Sequence, residues 1–205
     1  MAFSHKTYKS LGEVLNAFQV NYELSEKMGE IQPITVPLYL AQEIRFVLNN
    51  IAYKTSEESI CENILYPILK EVWKPYALIF SLWSHKTIFY DKKLTGRPDY
   101  LISKRSPLGH IVFERPYIAV VEAKLDDFVG GWAQCALEML AMQKLNQTPE
   151  NPIFGIVANG DIWQFAQLRN TTFTEFEQKA TLDNLPFLYG TLQFLMEKCK
   201  EIYQK

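Results

Sequence analysis

The stretch PYIAVVEAKLDD (116–127) decides how the chain is read. Residues 117–121 are apolar and partly β-branched, a buried strand with a proline before it and two aspartates behind it. Side chains alternate across a strand, so Glu122 and Lys124 are expected on the face of Ile118 and Val120. Ala119, Val121 and Ala123 then take the other. A carboxylate and an ammonium at the end of a core strand are costly unless each has a partner. A structural ion pair would supply one, and so would a chemical site.

The composition narrows the choice. At 205 residues with 48% apolar content, the chain is long enough for one domain with a sizeable core. Its 21 basic and 23 acidic residues give a net charge of -2, so any nucleic-acid surface has to be a local basic patch. The three cysteines are an odd number and sit in apolar helical patterns, which suits reduced thiols in a cytoplasmic protein. The three histidines are too scattered to suggest zinc. No apolar run has membrane-spanning length, and MAFSHKTYKS (1–10) lacks the apolar segment of a signal peptide, so no membrane partner is expected.

Periodicity gives the order of elements. Helices are expected around SLGEVLNAFQVNYEL (10–24), YLAQEIRFVLNNIAY (39–53) and TSEESICENILYPILKEVW (55–73), the last opening on Thr and Ser as candidate caps. A β-rich middle follows with ALIFSLWS (77–84), KTIFYD (86–91), RPDYLIS (97–103), HIVF (110–113) and YIAVVEAK (117–124). Gly130-Gly131 reads as the turn before a helix that is apolar nearly all round, GWAQCALEMLAMQKLN (131–146). PIFGIVAN (152–159) and IWQFAQL (162–168) form a hairpin turning on Asn159-Gly160-Asp161, and residues 184–205 are an amphipathic terminal helix. The expected fold is α/β, one domain with a mixed central sheet flanked by helices.

Two further acids stand in places that ask for an explanation. Asp99, in TGRPDYLIS (95–103), lies where a Gly-Arg-Pro turn enters a strand, and an antiparallel neighbour could bring it to Glu122. In the helix over 55–73, Ile60, Ile64, Leu65, Ile68, Leu69 and Val72 make one apolar stripe, with Glu57 near its middle. Glu57 could equally interact with the exposed amides of its own first turn. Acids at neighbouring strand ends form a hard oxygen site of the kind Mg²⁺ takes, and a lysine there can orient water or neutralise phosphate.

These residues resemble the signature of the PD-(D/E)XK nuclease superfamily, with its restriction-endonuclease-like fold. Pro98-Asp99 stands as the PD and Glu122-Ala123-Lys124 as the ExK. AQCALEMLAMQ (133–143) and GIVANGDIWQFAQL (155–168) are similar to the later core of nuclease domains related to type I restriction enzyme subunits. The resemblance implies a nuclease core over 55–205, with 1–54 an N-terminal helical extension packed on it. It implies Mg²⁺-dependent hydrolysis of phosphodiester bonds, Mn²⁺ serving as a substitute, with nucleic acid as partner and DNA favoured. Asp99, Glu122 and the Ala123 backbone carbonyl would hold metal. Lys124 would position the attacking water, Glu57 would assist a metal or water, and Gln134 would match the glutamine found on the helix after the ExK strand. Glu138 stands one turn later, where relatives frequently carry tyrosine. A silent binding module on the same fold is the other expectation, and the first 50 residues could cover a sheet edge or build a homodimer contact.

Overall fold

A computed structural model describes residues 8–203 of the chain. Its strands are β1 (Asn21–Ser25), β2 (Phe80–Ser84), β3 (Ile88–Phe89), β4 (Thr95–Gly96), β5 (Tyr100–Lys104), β6 (Tyr117–Ala123), β7 (Ile153–Ala158), β8 (Ile162–Arg169) and β9 (Thr172–Thr181). Seven of them form one mixed sheet in the order β1-β9-β8-β7-β6-β5-β2, while β3 and β4 make a separate two-stranded ribbon. Strand β6 runs antiparallel to β5 and parallel to β7. Parallel neighbours need a long crossover, and α5 (Phe128–Asn146) provides it. The chain is a single domain with a mixed central sheet flanked by helices, as its periodicity implied.

The remaining helices are α1 (Leu11–Phe18), α2 (Leu38–Asn50), α3 (Glu57–Ile60), α4 (Tyr66–Trp73) and α6 (Leu185–Tyr203). One face of the sheet packs against α2, α3, α4 and α6, and the other against α1 and α5. Ser56 caps α3 by accepting the Ser59 N–H at 3.1 Å. Between α3 and α4 the backbone widens into a turn of π-helix, Cys61–Leu65, inside one continuous helical run. Every stripe residue named from the sequence is buried, and Cys61 joins them. The three thiols Cys61, Cys135 and Cys199 are buried and unbridged.

Several expectations need correction. The first helix stops at Phe18, where Gln19 takes a left-handed conformation (φ 53°). Residues 21–25 then leave as β1 and pair parallel with β9, a strand not among those expected from periodicity. HIVF (110–113) is turn and irregular chain, not strand. Gly130 and Gly131 lie within the first turn of α5, capped by Asp127, whose Oδ1 accepts the Gly130 N–H at 2.8 Å. The β5–β6 register slips beside Ile102, so Ala119 pairs with Ile102 but Tyr117 with Ser103. The extra residue, Ile118, breaks the alternation, and it packs with Ala119 and Val121 while Val120 faces α5. No described helix is long and apolar enough to cross a membrane.

Candidate active site

The two halves of the motif meet because β5 begins where β6 ends. Tyr100 pairs with Val121, which sets Asp99 beside Glu122 and Ala123. The Ala123 N–H donates to Asp99 Oδ2 at 2.8 Å. Ala123 itself is fully buried and pairs with Ala158 across β7. Burial raises the Asp99 pKa, against the Ala123 N–H and the Lys124 charge, which favour the carboxylate.

Lys124 leaves the strand with its N–H bonded to the Ala158 carbonyl at 2.9 Å. Its ammonium stands 3.4 Å from Glu57 Oε2 and 3.6 Å from Glu122 Oε2. Burial opposes that charge, yet the Glu122, Glu57 and Asp99 carboxylates outweigh it and the Lys124 pKa rises. Lys124 is therefore a fixed cation at neutral pH. Gly131 makes room for its stem, since a Cβ there would fall 2.8 Å from both Lys124 Cγ and Val157 Cγ1.

Glu57 is not core-facing as its place in the apolar stripe suggested. Its side chain is 43% exposed and reaches across to Lys124 from the first turn of α3. Together with Lys124, Asp127 and Gln134 it lines an open cleft of about 510 Å³. Gln134 projects there from α5, half-buried.

Two residues outside the expected set complete the site. His85, at a left-handed position (φ 50°), donates its N–H to the Asp99 carbonyl at 2.9 Å, and its Nδ1 lies 3.5 Å from Asp99 Oδ1. Nothing in the spacing of three scattered histidines pointed there. Glu138 lies on α5 one turn beyond Gln134, and a charged residue in an otherwise apolar helix was its signal. It is 1% exposed, as is Glu122. Glu138 has the Glu122 carboxyl and the Gln134 amide as polar neighbours, while Glu122 Oε1 and both Glu138 oxygens make no hydrogen bond of good geometry. Burial pushes Glu138 up to about 7. Burial, and then the Glu138 charge, hold Glu122 well above the ordinary carboxylate range.

Among the described residues, no three acidic, histidine or cysteine side chains are gathered as a ready ion cage. Mg²⁺ asks for less, one or two protein carboxylates with its remaining positions filled by water and substrate. Asp99 and Glu122 have the right chemistry, and Glu122 Oε1 is a buried carboxylate oxygen with no N–H of the protein to accept from. The donor set fits a hard divalent cation. No protein-family model matches this chain, and no curated protein matches its sequence.

Proposed function

We propose that this protein is a Mg²⁺-dependent nuclease that hydrolyses phosphodiester bonds, with DNA as the favoured substrate. One observation carries the reading. The Lys124 ammonium sits between Glu57 and Glu122, and the Asp99 carboxylate is bonded to Ala123, the residue joining Glu122 to Lys124. A purely structural ion pair would explain Glu122 and Lys124, but it would leave Asp99, Glu57 and the adjoining cleft as separate coincidences.

Asp99 and Glu122 would hold the cation, aided by the Ala123 carbonyl, and Glu57 would assist from the cleft side. When bound, the cation supplies Lewis-acid stabilisation of the charge that develops on phosphorus-bound oxygens. The protein's own groups do the rest. Lys124, cationic and held by two carboxylates, orients the attacking water and offsets charge on the phosphate. Gln134, on the cleft wall, offers an amide to substrate oxygens. Attack in line forms the new P–O bond as the opposite P–O bond breaks, leaving a phosphomonoester and an alcohol.

The test is cleavage of labelled oligonucleotides in Mg²⁺ by the wild type, Asp99→Ala and Lys124→Ala. The expected result is activity in the wild type alone, with all three unfolding cooperatively. Full activity in either variant would end the proposal, and nucleic-acid binding without cleavage would leave the silent module.

A further inference from the structure

The segment SHKTIFYDKKLTGR (84–97) leaves the sheet after β2 and returns at Asp99, carrying Lys86, Lys92, Lys93 and Arg97 against the single acid Asp91. In a chain whose net charge is -2 this is a local basic patch. Ile88 and Leu94 are its buried anchors, at 1% and 2% exposure. Residues 89–93 between them are all exposed. Asp91 offsets one of these charges, and its Oδ1 accepts the backbone N–H groups of Lys93 at 2.7 Å and Leu94 at 2.8 Å. Among the described residues, no carboxylate pairs with Lys86, Lys92 or Lys93.

Beside these cations stand two uncovered rings. Phe89 is 63% exposed and Tyr90 46% exposed, although Ile88 and Leu94 of the same ribbon are packed. The base of the ribbon is tied to the site: Arg97 Nε donates to the His85 carbonyl at 3.0 Å, and the His85 N–H to the Asp99 carbonyl. Gly96, in β4, lies directly over Glu138, where a Cβ would come within 2.5 Å of its Cγ.

We propose that the β3–β4 ribbon is a docking arm for single-stranded nucleic acid, with Phe89 and Tyr90 stacking on bases and Lys92 and Lys93 meeting phosphates. The identity of the strand as substrate rests on the nuclease reading; its binding does not. Cations alone would serve any polyanion. Flat rings beside them select a polymer with exposed π-faces, which a duplex keeps stacked inside.

The experiment is fluorescence anisotropy of a labelled oligothymidylate, about 15 nucleotides long so as to cover one binding face, in EDTA so that no cleavage intervenes. Phe89→Ala and Tyr90→Ala are expected to weaken binding about tenfold each, the usual scale for losing one stacked base. Lys92→Ala with Lys93→Ala should flatten the dependence of log affinity on log salt by about 0.7 per lost phosphate contact. All four positions are exposed, so thermal unfolding should not move. Unchanged affinity in every variant would overturn the proposal. So would tighter binding to the matching duplex, or binding to phosphatidylserine vesicles with none to the oligonucleotide. The nuclease reading fails separately: binding lost in the ribbon variants supports the arm even if the wild type never cleaves. Cleavage with wild-type KM by those variants overturns the arm alone.

Discussion

The Asp99 carboxylate accepts the Ala123 backbone N–H at 2.8 Å, a bond from the residue before one strand to the end of the next. It fixes the spacing between the two halves of the motif by a main-chain contact. Asp99 and Glu122 are therefore set against each other by strand register, which is stiff.

That bond has a measurable cost when broken. Asp99→Ala leaves a part-buried N–H without its acceptor and should lower stability by about 1–3 kcal/mol. Asp99→Asn keeps an acceptor oxygen and should lose less than half of that. Urea midpoints at constant slope check the ranking. Equal midpoints for wild type and Asp99→Ala would mean that the bond contributes nothing.

Gly131→Ala should damage the site without touching a reacting group. The added methyl would fall 2.8 Å from Lys124 Cγ and Val157 Cγ1, so the lysine stem or the helix must shift. Overpacking of this kind costs about 1–3 kcal/mol, partly offset by the better helix propensity of alanine. Cleavage should fall more than tenfold with KM nearly constant, because orientation and not binding is lost. Wild-type turnover would show that the Lys124 stem has freedom to spare.

The buried pair Glu122 and Glu138 makes the metal-free protein sensitive to pH. Glu138 is raised from 4.5 to about 7, first of all by burial. A carboxyl with a raised folded pKa binds its proton more tightly folded than unfolded. Its contribution to stability is therefore greatest below about 4.5 and is lost as pH rises toward 7. Glu138→Gln stays neutral throughout. In EDTA it should match the wild type near the lower value and exceed it above the higher one. Denaturant titration at the two pH values decides. A variant equally destabilised at both would show that Glu138 is needed for packing and not burdened by charge.

Strands β6 and β7 were legible as buried apolar runs, and the helical run over 55–73 as a stripe at helical spacing. The Asn159-Gly160-Asp161 turn was legible from its chemistry: Asn159 Oδ1 accepts the Ile162 N–H at 2.8 Å, and Gly160 takes φ 87°. What escaped was non-local. Residues 21–25 look helical because they continue the pattern of α1, and only pairing with the distant β9 makes them a strand. The slip at Ile118 depends on β5, which no single-strand periodicity reveals. Glu57 was readable as exceptional, but its direction was not. The approach of Lys124 turns it to the cleft. His85 reaches Asp99 through a positive-φ turn that an isolated histidine does not announce.

The most direct measurement is calorimetric titration of Mn²⁺, then Mg²⁺, into the wild type and into Glu122→Gln at pH 7.5, with folding checked in parallel. Removing one hard anionic oxygen donor from a site built on two should abolish or greatly weaken binding. The wild type is expected to take up the cation and the variant to lose it while remaining folded. No binding by the folded wild type, or equal binding by both proteins, would contradict a metal centre at Asp99 and Glu122.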